Sequence, residues 1–287
     1  MRIRLPFLTP PAIAALAMAA LVALVPAGPA FGAPPGAGGV RVVEVPGDPG
    51  LPLAIVNSNL AAVTLTITVT GQNAKPDRSM PAIVSVPGPG TFPFTRLLPI
   101  KEDEGFGYRV RLDWQFGDAG AKHARRTVYE LPFESGRTCV VAQGFRGSFT
   151  HSGNNEYAVD FDMPEGTAVR AAREGVVEVM ADQFDQGGVD PNLRDRVNFI
   201  FVRHPDGTYG EYVHLRKGGV AVKLGDRVRA GDLLGYSGFT GYAQGPHLHF
   251  AVFRPINGTE RETFPVRFRA REGKSVQPEE GMKLTAP

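Results

Sequence analysis

The chain has 287 residues and a formal net charge of +2, with 21% charged and 43% hydrophobic residues. Arg2 and Arg4 lie in a leader expected to be removed, so the mature chain is near neutral and nothing points to nucleic acid or an anionic membrane surface as partner. The length suits two domains of ordinary size, and 35 Gly with 25 Pro favour turns and strands over long helices.

In chain order, Met1-Arg2-Ile3-Arg4 precedes an apolar run from Pro11 to Val25 and then the breakers Pro26 and Pro29. This pattern predicts an export signal over residues 1–33, cleaved after Gly32 or Ala33. The run is short for a membrane span, which favours cleavage over an anchor. Residues 33–39 read as a flexible Pro/Gly/Ala lead. Seven strands are then expected in residues 40–134: Val40–Val45, Leu51–Asn57, Ala62–Thr70, Ala82–Val86, Phe92–Leu98, Tyr108–Phe116 and Thr127–Tyr129. Val63 to Val69 alternates branched apolar residues with threonine, as a half-buried antiparallel strand does. The set predicts an immunoglobulin-like β-sandwich. His123, beside Lys122 and Arg125-Arg126, reads as a surface residue.

Leu131-Pro132-Phe133-Glu134-Ser135-Gly136 marks a boundary, and five of the six histidines lie beyond it. A second domain is expected over residues 137–272, followed by a tail at 273–287. Its strands are predicted at Ala168–Ala171, Gly175–Ala181, Asn198–Arg203, Gly210–Leu215, Arg227–Val228, Leu233–Tyr236 and His247–Phe253, with no sustained helical period. Cys139, the single cysteine, excludes an intramolecular disulfide and reads as a small buried hydrophobe.

Gly245-Pro246-His247-Leu248-His249-Phe250 places two imidazoles on one face of a strand, with Leu248 and Phe250 on the other. Such a pair can supply a metal ligand, a proton shuttle or one of each. His151 opens a turn-rich loop that leads into a strand bearing Asp160, and His214 is expected on a strand whose face it shares with Tyr212. A catalytic zinc takes three protein ligands and keeps one position open, so five candidate groups exceed one ion's needs. The surplus fits acid, base or oxyanion-stabilising roles. Taken singly, each of these residues is as well explained by a turn, a cap or a hydrogen bond, and His204 in Arg203-His204-Pro205-Asp206-Gly207 reads as part of a hairpin turn. The loop from Asp182 to Asp195 is acidic; it reads as a solvated wall of a groove, with Asp182, Asp185 and Asp190 as conceivable calcium ligands. The aromatics of residues 238–244 run into the histidine pair and are expected near a substrate.

The ordered motifs His151…Asp160, Gly166-Thr167-Ala168-Val169, Tyr212-Val213-His214-Leu215, the Val222 to Gly238 stretch and Gly245 to Phe250 resemble the M23 zinc metallopeptidases, the lysostaphin-type or LytM-domain peptidoglycan endopeptidases. The resemblance covers residues 143–255. It implies one zinc per chain held by His151, Asp160 and His249, with His214 and His247 catalytic beside it, in a mainly β, antiparallel-sheet peptidase domain. The implied protein is a secreted endopeptidase of peptidoglycan peptides, located in a periplasm or cell wall. The alternative is a catalytically inactive LytM-like regulator that binds another cell-wall hydrolase; the filled set of five positions favours the enzyme. Two departures stand out: eight residues separate His151 from Asp160 where three are common, and Ala251 stands where a glutamate frequently follows His-Leu-His-Phe. The extra residues Gly153-Asn154-Asn155-Glu156 are expected to bulge outward, since loop lengthening costs little.

Overall fold

The computed structural model describes residues 24–26, 39–47 and 49–287. The predicted export signal lies outside them, apart from the backbone of Leu24–Pro26, which pairs in parallel with Gly107–Phe116. Among the described residues the helical turns are three short 3-10 segments, and the rest of the regular structure is strand.

The first half forms two four-stranded sheets. One runs Leu24–Pro26, Gly107–Phe116, Val63–Gln72 and Ala82–Val86; the other runs Val40–Glu44, Leu51–Asn57, Gly90–Pro99 and Ala74–Pro76. The alternation of Val63, Leu65 and Ile67 with threonines turns the apolar set inward, where it meets Leu53, Ile55 and Leu97 of the other sheet in one apolar cluster. The ten-residue ladder between Val63–Gln72 and Gly107–Phe116 sets Leu65 opposite Trp114 and Ile67 opposite Leu112.

The second half is built on one large sheet. Its order is Arg227–Val228, Gly175–Ala181, Phe199–Arg203, Tyr209–Val213, His247–Pro255, Val159–Asp162, Thr138–Gln143 and Lys283–Thr285, with Arg261–Thr263 added beside His247–Pro255. Lys283–Thr285 comes from the segment read as a tail; it closes the sheet against Thr138–Gln143. Val128–Glu130 pairs with Arg267–Arg269, away from the strands that precede it in sequence. Cys139 is buried, and burial raises its thiol to about 11.

The two faces of this sheet have different neighbours. Val159, Phe161, Ile200, Val202, Tyr212, Leu248, Phe250 and Val252 fill a core with Tyr129, Phe133 and Phe268. On the opposite face, Phe199, Phe201, Tyr209, Val213 and Phe253 join the apolar cluster of the first half. Phe201 meets Phe116 edge-on at 6.4 Å and Phe253 at 5.3 Å. Polar contacts reinforce the seam, from Gln115 Nε2 to the Asn257 carbonyl at 3.1 Å and from the Gly258 N–H to Thr66 Oγ1 at 2.9 Å.

The shared cluster makes Phe201 a link between the halves. Phe201→Ala should cost about 3–5 kcal/mol and lower one common transition in denaturant titration; two separated transitions would show that the halves unfold independently.

Candidate metal centre

The site lies on the same sheet face as the seam, farther along the strands. His247 and His249 alternate with Leu248 and Phe250 as expected. Register places Asp160 opposite His249 and Asp162 opposite His247, while Glu211 stands opposite Ala251 on the next strand. His151 arrives from the loop between Thr138–Gln143 and Val159–Asp162 and is buried.

His151, Asp160 and His249 converge, with ligand atoms within 4.8 Å of one another; this is the one such group found among the described residues. Asp160 Oδ1 lies 3.2 Å from His151 Nε2 and 2.9 Å from His249 Nδ1. His247 Nε2 lies 3.7 Å from the same oxygen. The second oxygen, Oδ2, accepts a 3.0 Å bond from Gln143 Nε2, and Gln143 Oε1 in turn accepts the N–H of Phe149 at 2.9 Å. Gln143 thus ties the carboxylate to the loop that carries His151. Sequence reasoning passed over it, because a lone glutamine in a strand carries no motif.

His214 stands beside this group, its ring 4.5 Å from that of His247 between centroids. Its predicted placement is corrected: the strand ends at Val213, and His214 has φ +67°. Tyr212 points into the apolar core and its hydroxyl accepts the Ala172 N–H at 2.7 Å, so simple alternation would have buried His214 on that side too. The left-handed residue, a conformation costing on the order of 1 kcal/mol, swings the imidazole to the opposite face. There its Nδ1 donates to the Thr240 carbonyl at 2.7 Å. Gly238 makes this approach feasible, since a Cβ there would collide with the Arg216 backbone.

Hydrogen bonds fix the tautomers. A carbonyl oxygen only accepts, so the Nδ1 atoms of His151, His214 and His247, bonded to the carbonyls of Gly144, Thr240 and Gly245 at 2.7, 2.7 and 2.9 Å, carry the proton in each neutral ring. Each Nε2 is left with a lone pair. His249 differs, because its Nδ1 faces Asp160 and its Nε2 lies 3.4 Å from Glu211 Oε1.

Electrostatics follow from this geometry. Burial works against the Asp160 carboxylate, but the imidazoles of His151, His249 and His247 gathered around it outweigh that burial and hold its pKa well below the usual range. Burial also opposes a charged His249, yet Asp160 and Glu211 prevail and raise it to about 9. Burial, with His247 and His249 adding to it, pushes His214 down. Glu211 is buried as well, but Arg261 and His249 outweigh that burial and hold it down to about 2.

The donor set fits zinc. His151 Nε2 is buried without a hydrogen-bond partner and faces a carboxylate oxygen, an acceptor facing an acceptor, which calls for a cation between them. Two imidazole nitrogens and one carboxylate oxygen are a zinc donor set, and tetrahedral ligands at about 2.1 Å stand roughly 3.4 Å apart, near the 3.2 and 2.9 Å that separate Asp160 Oδ1 from the two nitrogens.

Above the set opens a cleft of about 750 Å³ lined entirely by residues between Ala142 and Glu280. Phe149 and Tyr242 stack across it at 5.6 Å, and the Arg194 guanidinium lies 5.0 Å over the Tyr242 ring. Arg194 comes from the loop read as a groove wall, Tyr242 from the aromatic stretch expected near a substrate, and Phe149 from the loop that carries His151. The calcium reading of the acidic loop finds no support in the side chains: Asp182 accepts the Gly219 N–H, Asp185 pairs with Lys217, and Asp190 caps Asn192. His123 is half-buried rather than at the free surface, stacked on Phe264 at 4.5 Å. His204 closes the hairpin as expected and is buried, donating from Nδ1 to the Glu174 carbonyl at 2.9 Å.

One imidazole from a loop, one from the sheet and a sheet carboxylate thus form a group that could hold a metal ion beside an open cleft, with two further histidines next to it. Residues 154–263 match Peptidase family M23. The match begins just after His151 and includes the other four site residues. The chain is 44% identical over 100 residues to glycyl-glycine endopeptidase ALE-1 of Staphylococcus capitis, covering 34% of this chain and 25% of that protein. With peptidoglycan DD-endopeptidase ShyA of Vibrio cholerae it shares 37% identity over 152 residues, 50% of this chain and 32% of the relative. The chain therefore spans a quarter to a third of the length of these relatives. Among solved structures, the catalytic domain of lysostaphin from Staphylococcus simulans aligns at 27% identity and a TM-score of 0.30, over 44% of this chain and 87% of its own.

His204 supplies a pH test away from the metal set. Burial lowers it from 6.5 to about 4, so its contribution to stability is complete above pH 6.5 and lost as pH falls towards 4. A Cβ at Gly210 would come within 2.8 Å of its Nε2, so the ring has little room to move. His204→Leu should lose up to about 3 kcal/mol less than wild type between those pH values in denaturant titrations; parallel curves would contradict this.

Proposed function

We propose that this chain is an exported zinc endopeptidase that cuts peptide cross-links of bacterial peptidoglycan. The observation that carries the reading is the pairing of His151, Asp160 and His249 with two further imidazoles whose Nε2 lone pairs stand beside them at the cleft. The printed names of the relatives, a glycyl-glycine endopeptidase and a peptidoglycan DD-endopeptidase, support a peptide of the cell wall as substrate. Export rests on the residue 1–33 pattern. In the same proposal residues 40–134 are an immunoglobulin-like unit, supported by the three strands they give to one sheet and the four they give to the other around one core, and residues 137–272 the peptidase unit.

His151 Nε2, Asp160 Oδ1 and His249 Nδ1 would hold zinc. When bound, zinc supplies a Lewis acid and brings water to a pKa of about 7. His214 and His247 do the proton work. Their Nδ1 protons are committed to backbone carbonyls, so Nε2 of one accepts the proton of the attacking water and returns it to the leaving amine. The other stabilises the oxygen of the tetrahedral intermediate only with a proton on Nε2 as well as on Nδ1, as an imidazolium. Burial keeps His214 neutral, so its Nε2 lone pair is free. The stacked Phe149 and Tyr242 shield part of the cleft and offer a flat apolar surface to the peptide.

Mass analysis of fragments released from defined muropeptides tests the activity and identifies the bond. His247→Ala should lose turnover by about 10²–10⁴-fold while retaining zinc, because its ring lies outside the ligand set. Loss of zinc in that variant would exchange the roles of His247 and His249. His151→Ala and Asp160→Asn should both lose zinc, measured by metal analysis after dialysis. A wild-type protein holding no zinc and releasing no fragment would be the inactive regulator instead.

A further inference from the structure

His249 faces a carboxylate from behind as well as from the front. Its Nε2 lies 3.4 Å from Glu211 Oε1, and Glu211 is 1% exposed. Arg261, itself buried, clamps this carboxylate with two bonds, Nη1 to Oε2 at 2.7 Å and Nη2 to Oε1 at 2.8 Å. The arginine is gripped in turn by the loop between His151 and Asp160: Nε donates to the Asn154 carbonyl at 3.0 Å, Nη2 donates to Asn155 Oδ1, and the Arg261 N–H donates to Asn154 Oδ1 at 3.1 Å. Its guanidinium also stacks 4.5 Å over the Phe253 ring.

This arrangement corrects the expectation that the extra residues of that loop bulge outward. Asn154 and Asn155 turn inward to Arg261, the residue that clamps Glu211 behind His249. The stretch that links His151 to Asp160 therefore braces the third member of the set through Arg261 and Glu211.

We propose that Glu211 is the positioning residue of the metal site: braced by Arg261 and the Asn154-Asn155 turn, it takes the Nε2 proton of His249 and leaves the Nδ1 lone pair aimed at the metal. A carboxylate behind an imidazole ligand fixes its tautomer and ring orientation and raises its basicity. The inference rests on His249 being a zinc ligand, as proposed above. Position 251 offers an independent check. Ala251 lies directly opposite Glu211 in the ladder and two residues beyond His249 on the same face, so a carboxylate planted there starts beside the place that Glu211 leaves.

The test reads zinc affinity by competition with a chromophoric chelator, alongside the melting temperature of the metal-free protein. Glu211→Ala should weaken zinc binding by about 10–100-fold. Adding Ala251→Glu to that variant should recover at least about tenfold of the loss. The double variant Glu211→Leu with Arg261→Met replaces the ion pair by apolar side chains of similar volume, a change that is often neutral for folding; it should melt near wild type and still bind zinc about 10–100-fold more weakly. Wild-type affinity in a folded Leu/Met variant would overturn the proposal and leave Glu211–Arg261 a structural ion pair. A wild-type chain that binds zinc but cuts no muropeptide would overturn the proposed function and leave this inference standing, whereas one that binds no zinc overturns both.

Discussion

One buried oxygen organises this site. Asp160 Oδ1 is faced by nitrogens of His151, His249 and His247 at 3.2, 2.9 and 3.7 Å, in a place with almost no water to solvate it. A buried carboxylate is tolerated only when its lone pairs are met, so the elements around it are constrained together. Register must set Val159–Asp162 against His247–Pro255 such that Asp160 meets His249. A slip of one residue would turn Asp160 into the apolar core and bring Phe161 to the cleft. Gln143 extends the constraint to the loop, since the side chain that holds Oδ2 also accepts the N–H groups that shape the approach to His151.

The sheet face that carries this oxygen is shared. Near the cleft it presents Asp160, Glu211 and His249, and farther along the strands it presents Phe201, Tyr209 and Phe253 to the first half of the chain. None of the described residues of that half lines the cleft. Its influence on the site therefore passes through the strands, whose spacing it fixes by packing on them, and not through contact with whatever the cleft holds. Tightly packed interiors transmit such constraints because they have little free volume to absorb them.

Much of this was legible in residue order. Alternation alone put His247 and His249 on one face, and the Pro/Gly-punctuated strands gave an all-β chain with most of its strand positions. What escaped was set by tertiary contacts. The strand through His214 ends one residue early because a left-handed backbone is stabilised by the Thr240 carbonyl, a partner 26 residues away. Lys283–Thr285 is too short and polar to announce itself, and only its ladder with Thr138–Gln143 makes it a strand. Glu211 did leave a trace, as a lone acid in the otherwise apolar run Tyr209-Gly210-Glu211-Tyr212-Val213. Buried acids are rare without a partner, but Arg261 lies fifty residues on and nothing in its local sequence advertises the pairing.

Histidine identity says less about role than the group that holds each ring. Three of the four site imidazoles give Nδ1–H to a backbone carbonyl, which accepts at any pH and has no charge to exchange, so their tautomer is fixed and Nε2 is left available. His249 alone is placed between two carboxylates, which raise its affinity for a proton and, by the same field, for a metal cation. The two members of the His-x-His pair thus diverge although they share a strand, a face and a spacing. Carbonyl support fixes the tautomer of His151 as it does those of His214 and His247, and carboxylate support also raises the basicity of His249. The difference comes from residues 144, 211, 240 and 245, none of them part of the histidine pattern.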